Sequence, residues 1–435
     1  MANRILINLS PLRAGRDFRF LFAGQLVSMA GSQLSAVAVP FQVYALTRSS
    51  LQVGAVSAAT VVPLMAGALI GGSVADTMDR RRLLVVTSAV LAVTSGALAA
   101  NAALPHPSLL AVYLVAALAA GLGGVVSTAV QAVVPAMVGE EGLVAAFASM
   151  QIVDQVGMVA GPALSGVLIA AVGVSWVYAC DAVSFVAAAV AAVALSAQPP
   201  ARGDGSVQGR GHPESASILG GFRYLRGRQA LTGAFAIDLA ATVFGQPRAL
   251  FPALAARVFG GGPRTLGLLY AAPGAGALAG ALTSGRLEGV RRQGWAVVWA
   301  VAVWGAAIAA FGVVHLLWAA LMLLAVAGWA DVLSAVLRTT IVQSSVPDWI
   351  RARISALEIA TVEGGPQAGN LEAGAVAGLV STEFAVVSGG IASIIGAALV
   401  AGLLPGFRQH RRSDQSAGPG AGAGLPPAST GRLAR

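Results

Sequence analysis

Long apolar runs punctuated by short arginine-bearing turns set the pattern of this chain. A helix needs about 20 apolar residues to cross roughly 30 Å of hydrocarbon. Runs of that length are predicted at 18–46, 51–75, 83–103, 108–134, 143–172 and 175–195. A second set of six is predicted at 231–254, 266–284, 295–314, 316–342, 354–380 and 384–404. The two sets are parted by QPPARGDGSVQGRGHPE, whose proline, glycine and charge cannot fill a membrane core. Past Pro405 the chain is poor in apolar bulk and reads as a disordered tail. The expected organisation is an all-α membrane protein of twelve transmembrane helices. It comprises a six-helix bundle at 1–196, a linker at 197–228, a second, pseudo-symmetric six-helix bundle at 229–405 and a tail at 406–435.

Composition supports the bilayer as solvent: 57% of the 435 residues are hydrophobic and 10% charged, against about 25% charged in soluble proteins. The N-terminus lacks the short apolar core and cleavage site of a signal peptide, so the first run is expected to be a retained span. A net charge of +9 would suggest nucleic acid in a soluble chain. Here the arginines fall between apolar blocks and read as topology signals. Those at Arg4, Arg13, Arg16, Arg19, Arg80 to Arg82, in the linker, at Arg286, Arg291, Arg292, Arg351, Arg353 and in the tail share one side, leaving Arg48, Arg257 and Arg264 on the other. An even number of spans with both termini cytoplasmic follows. One cysteine, Cys180, excludes an internal disulfide, and the four histidines show no ligand spacing, so neither metal nor cofactor is expected. The absence of lysine excludes a P-loop motor. No serine-histidine or HExxH arrangement occurs within the spans, which argues against an enzyme.

Certain motifs are more specific. Gly67-Ala68-Leu69-Ile70-Gly71 recurs as Gly276-Ala277-Leu278-Ala279-Gly280, each a few residues after a proline, Pro63 or Pro273. The second and third runs are joined by GGSVADTMDRRRL, in which Gly72 is expected to permit close helix approach, Asp76 to end one helix and Arg80 and Arg81 to open the next. The fifth run carries Gly157, Gly161, Pro162 and Gly166, a small-residue face with a bend. The joining loop resembles the signature loop of the major facilitator superfamily, with Thr77 and Asp79 departing from its basic residue and glycine. The fifth run is similar to the antiporter motif of the same superfamily, with Ser165 in place of a glycine. The stretches RDFRFLFAGQLVSMAGSQLSAVAVPFQVYALTRSSLQVG, VPDWIRARISAL and GGPQAGNLEAGAVAGL resemble its enterobactin-exporter and macrolide-efflux branch, so the likeness covers nearly the whole chain outside linker and tail. Members of that branch often carry an aspartate where this chain has Ser32.

The resemblance implies a conformational latch at Gly72, Asp76, Arg80 and Arg81, with Asp76 engaging the start of the eleventh helix around Arg351, Arg353 and Ser355. It further implies a multi-pass protein of the bacterial inner membrane, working as a monomer without nucleic acid. Such a protein exports a small amphiphile (a drug, antibiotic or siderophore) in exchange for protons. An importer or facilitator of the same fold and a non-transporting receptor are the alternatives.

Polar residues inside the runs suggest where cargo and protons pass. Gln25, Ser28, Ser32, Ser35 and Gln42 follow a 3-and-4 spacing and share a helix face; Ser127 and Gln131 on the fourth run, and Gln151, Asp154 and Gln155 on the fifth, do likewise. Helix-to-helix hydrogen bonding is the competing use of such residues. Ionisable residues within spans are expected to face inward, namely Asp154, Asp181, Asp238, Arg248, Asp331, Arg338, Glu358, Glu363 and Glu372. The proton-coupling or substrate candidates are Asp154, Asp331 and Glu363, near mid-span, together with Gln25, Gln131 and Asp238. Gly364, Gly365 and Pro366 are expected to break the eleventh helix into a hinge.

Overall fold

The computed structural model describes residues 15–197 and 223–410, and every element among them is helical. The tail beyond 410 and most of the expected linker lie outside the described residues. In chain order the first elements are α1 (Arg16–Thr47), α2 (Ser50–Thr77), α3 (Arg80–Ala103), α4 (Leu109–Val172) and α5 (Val174–Val193). Then follow α6 (Gln229–Phe244), a 3-10 turn (Arg248–Leu250), α7 (Phe251–Arg257), α8 (Pro263–Thr283) and α9 (Gln293–Phe311). The last are α10 (Leu317–Ser345), α11 (Asp348–Leu379), α12 (Thr382–Leu403) and the short α13 (Pro405–Arg408).

Helices in lipid must satisfy their own backbone groups, and polar residues at their starts do so here. The hydroxyls of Ser49, Ser108 and Ser381 accept from the backbone N–H groups of Gln52, Ala111 and Phe384. Asp79 caps α3 by accepting from the N–H groups of Arg81 and Arg82 at 2.8 and 3.4 Å. That cap accounts for the aspartate where the signature loop usually has glycine. Asp79→Ala is expected to cost about 1 kcal/mol and Asp79→Asn almost nothing, read from the thermal midpoints of the purified variants.

Among the described residues, ten helical stretches are long and apolar enough to cross a membrane, fewer than the twelve expected. The seventh run fails because Pro247 supplies no backbone donor. After Gly245-Gln246-Pro247 the chain tightens into the 3-10 turn before resuming as α7, so α6 alone has 16 residues. The eleventh fails on composition, since α11 is 32 residues long but carries Arg353, Glu358, Glu363, Gln367, Asn370 and Glu372. It also corrects the expected break, because α11 stays helical through Gly364-Gly365-Pro366.

The fourth and fifth runs are joined by helix instead of loop. Backbone helicity persists from Leu109 to Val172, with span-length stretches at 109–135 and 145–172. Both ends nevertheless lie at the same end of the molecule. Ser108 N–H donates to Asn101 Oδ1 at 2.8 Å, and Ser175 Oγ donates to the Ala99 carbonyl at 2.8 Å. The helical path therefore turns back on itself between the two stretches.

Helices α1 to α5 pack chiefly on one another, as do α6 to α12, and the pairs α2–α11 and α4–α8 supply most of the contact between the two sets. The recurring glycine turn is realised in matched surroundings. Gly67 lies against the backbone of Gly121 and Gly276 against that of Ala325, while the carbonyls of Pro63 and Pro273 face Gly121 and Gly328. Each copy thus brings α2 onto α4 or α8 onto α10 at backbone distance. The outer surface is apolar, with Leu69, Leu282 and Leu379 at least 76% exposed, as expected where lipid is the solvent.

Candidate functional site

A cavity of about 900 Å³ lies within the first set of helices. Its wall is mainly apolar, with Met29, Val56, Leu91, Val126 and Phe185, and is crossed by a polar stripe. Gln25, Ser28, Ser32 and Ser35 of α1 line it, as do Ser127, Gln131 and Gln151 of α4. From the second set of helices, Gln367 of α11 reaches the wall. The wall is buried at Val53 and Leu98 but exposed at Gln131, Phe147 and Gln151, so the cavity closes toward one end and opens toward the arginine-rich end.

Four of the five stripe residues of α1 therefore share the cavity, as their spacing predicts. Gln42 does not; it is buried and its Oε1 accepts from the Tyr178 hydroxyl at 2.9 Å, which joins α1 to α5. The wall also includes Asp181, which sequence reasoning counted among the intramembrane acids without singling it out. Asp181 is 3% exposed, and its Oδ2 accepts from Ser35 Oγ at 2.6 Å and Ser95 Oγ at 2.8 Å.

The remaining acids stand elsewhere. The side chain of Asp154 lies outside the described residues. Asp238 of α6 forms a buried ion pair with Arg338 of α10, a structural use for a residue expected to handle cargo or protons. Asp331, two turns before Arg338 on α10, is exposed and within electrostatic range of Arg338, Asp238 and Arg248. Glu363 is exposed, and Glu358 Oε1 accepts from Thr339 Oγ1 at 3.2 Å. None of Asp238, Asp331 or Glu363 lines the cavity.

In the loop after α2, Arg80 Nη1 donates to the Ala132 carbonyl at 2.9 Å, and Arg81 Nη2 donates to the Val193 carbonyl at the end of α5. A guanidinium group at a carbonyl-bearing helix end is favourable, which fits Arg81 at the end of α5, while Arg80 ties the loop to the interior of α4. The side chains of Asp76 and Arg351 lie outside the described residues. A side chain at Gly72 would meet open space, so the close approach expected there belongs to its neighbour Gly71, which faces Val125 and Thr128.

The glycine run of α4 faces two ways. Gly157 and Gly161 lie over Met29 and Gln33 of α1, and Ser165 Oγ donates to the Leu34 carbonyl at 2.8 Å. Gly166 faces α8 instead, where a Cβ would sit 2.5 Å from the Pro263 carbonyl oxygen and 2.8 Å from Gly267 Cα. A matching crossing joins α2 to α11: Gly54 lies on the Asn370 backbone, and a Cβ at Gly374 would sit 2.6 Å from the Ser50 carbonyl oxygen. Asn370 has a role that no local pattern marks. Its Oδ1 accepts from Ala249 N–H at 3.1 Å, steadying the 3-10 turn that interrupts the seventh run. Gly365 packs against Thr242 of α6. Both crossings lie at the closed end of the cavity.

Comparison with known proteins agrees with this geometry. The family described as transmembrane secretion effector matches residues 7–417. An enterobactin exporter of Citrobacter koseri is 31% identical over 407 residues, covering 94% of this chain and 96% of its own length. An enterobactin exporter of Escherichia coli is 31% identical over 408 residues, with the same coverage of both chains. In fold, the nucleoside transporter NupG is similar with a TM-score of 0.68 at 14% identity, covering 90% of this chain and 98% of the NupG chain. A bacterial homologue of the iron transporter ferroportin, in an inward-facing state, gives a TM-score of 0.66 at 16% identity, covering 91% of this chain and 99% of that one.

Proposed function

This chain belongs to the transmembrane secretion effector family, and on that premise we propose that it exports a small amphiphile through the cavity beside α1, in exchange for protons. Membership carries a secondary-active transport role across a membrane, and it carries transport in place of enzymatic chemistry. The observation that carries the finer reading is the cavity itself, closed at one end by two helix crossings and open at the other. Arginine-rich loops mark the cytoplasmic side, so this arrangement reads as an inward-open state awaiting cargo from the cytoplasm. The α2–α11 and α4–α8 crossings would part, and the arginine-rich end close, as two six-helix halves rock about the site.

The wall favours a particular cargo. Its hydroxyls and amides hydrogen-bond an uncharged or weakly basic compound, and its apolar side chains take the rest. Among the described residues the wall has no arginine, so a polyanion would find no counter-charge. The proton gradient supplies the drive, with the membrane potential adding about 2.3 kcal/mol per charge per 100 mV. A monomer suffices, since the cavity is formed within one chain.

Everted inner-membrane vesicles test this reading. An uncharged fluorescent amphiphile and an uncharged catechol-bearing amphiphile are expected to accumulate in a lumen acidified by respiration and to leak out after a protonophore. Equilibration indifferent to the protonophore would favour the facilitator, and binding without flux the receptor. Gln25→Leu and Gln131→Leu are each expected to weaken apparent affinity about 2- to 10-fold, since a lost hydrogen bond contributes about 0.5–1.5 kcal/mol. An unchanged KM in both would remove the polar stripe from the cargo path.

A further inference from the structure

We propose that Asp181 is the proton-binding group of this transporter, held between α1, α3 and α5 by the hydroxyls of Ser35 and Ser95; the assignment rests on the export reading above. Three observations place it there. Asp181 belongs to the cavity wall yet is 3% exposed. Its Oδ2 accepts from two serines on two other helices. Its Oδ1 is buried and accepts no hydrogen bond, the neighbouring Ser184 hydroxyl donating instead to the Asp181 backbone carbonyl at 2.7 Å.

The chemistry of the neighbours decides what this carboxyl can bind. Hydroxyls both donate and accept, so Ser35 and Ser95 can donate to a carboxylate or accept from a carboxylic acid without any group leaving the site. Asp238 has no such freedom, because its carboxylate is committed to the buried ion pair with Arg338. No cation faces Asp181 among the described residues. The ionisable neighbour is Tyr178, one turn earlier on α5, whose hydroxyl is engaged by Gln42. A buried carboxylate with no counter-charge is neutralised by taking a proton. Burial also bars the ammonium of a bulky cargo from direct contact, so the ligand is the proton, with cargo held on the stripe alongside.

Protonation has a mechanical consequence. Hydrogen bonds to a carboxylate are roughly twice as strong as those between neutral groups, so neutralising Asp181 loosens α1 from α3 and α5 together. Helix α1 carries the cargo stripe and touches α7 and α8 of the other helix set. The proton is thereby linked to the element that joins cavity to closed end. Gly31 leaves room beside the site, because a Cβ there would press on the Ser184 hydroxyl and, at 2.7 Å, on Asp181 Oδ1.

Infrared difference spectra of the full-length protein in lipid nanodiscs, taken between acid and alkaline pH, test the assignment. The wild type is expected to show a protonated-carboxyl C=O band that titrates reversibly. Asp181→Asn loses most of that band, Asp181→Glu keeps it at a displaced frequency, and Ser35→Ala combined with Ser95→Ala displaces it with the carboxyl intact. A band that survives Asp181→Asn undiminished overturns the proposal, as does the absence of any titrating band in the wild type. Gradient-driven flux of the two vesicle probes separates this from the transport reading. Proton-driven flux with the band indifferent to Asp181→Asn sinks the assignment alone, whereas wild type without gradient-driven flux of either probe sinks the export reading.

Discussion

Gly166→Ala is expected to cut transport by one to two orders of magnitude while the protein remains folded, and Gly157→Ala to leave transport nearly unchanged. Both residues belong to the same glycine run, so motif membership cannot separate them. Their surroundings can. A Cβ at Gly157 would meet Met29 Cγ at 3.4 Å, the ordinary distance to a flexible side chain. A Cβ at Gly166 would meet the Pro263 carbonyl oxygen at 2.5 Å, and one at Gly267 the Pro162 carbonyl oxygen at 2.6 Å. Backbone cannot swing aside, so the α4–α8 crossing must open. Overpacking of this kind costs about 1–3 kcal/mol, enough to shift a two-state equilibrium by about 5- to 150-fold. Because the penalty falls on one state only, it appears as a changed population more than as unfolding. Spin labels at the exposed Val172 and Val313, in a Cys180→Ser background, should report a longer separation in Gly166→Ala and Gly267→Ala than in the parent. An unchanged distance distribution alongside normal flux would show that the crossing is not part of the cycle.

The same contrast shows how much of the molecule was legible in its sequence. Membrane spans are written locally, since about 20 consecutive apolar residues suffice to declare one, and ten emerged as long apolar helices. The seventh and eleventh runs were identified as positions in the chain, but their irregularity depends on one another: Pro247 breaks the first, and Asn370 of α11 supplies the acceptor that steadies the break. The helical link between the fourth and fifth runs was missed because Gly139, Glu140, Glu141 and Gly142 interrupt the hydropathy without interrupting the backbone helix. The α1 stripe was readable because its spacing is a property of one helix, and Gln42 parted from it only through Tyr178, 136 residues away. Asp181 could not be singled out locally at all. Its serine partners are 146 and 86 positions distant, so nothing in its own span marks it. Asp79, by contrast, was legible in principle, because an aspartate immediately before a helix is a standard N-cap.

Removing one partner of the Asp238–Arg338 pair should destabilise the protein more than any other single polar substitution considered above. The pair joins α6 to α10, with side chains 7% and 13% exposed, so neither charge has water to fall back on. Breaking such a pair costs about 3–5 kcal/mol because the survivor is left buried and uncompensated. The two single variants should nevertheless differ. Arg338→Leu leaves Asp238 and Asp331 as like charges within electrostatic range, which a proton on Asp331 relieves. Asp238→Leu leaves a guanidinium, which cannot be neutralised at any accessible pH, although Asp331 offers it a second carboxylate two turns away. Acidification should therefore rescue Arg338→Leu and further weaken Asp238→Leu, since protonating Asp331 removes that substitute partner. Replacing both residues by leucine should recover most of the loss, as apolar replacement of a buried pair is often neutral or stabilising. Thermal midpoints of the three variants across pH decide the matter: single losses that are small, or a double variant no better than its parents, would mean that the pair is hydrated and contributes little to holding α6 on α10.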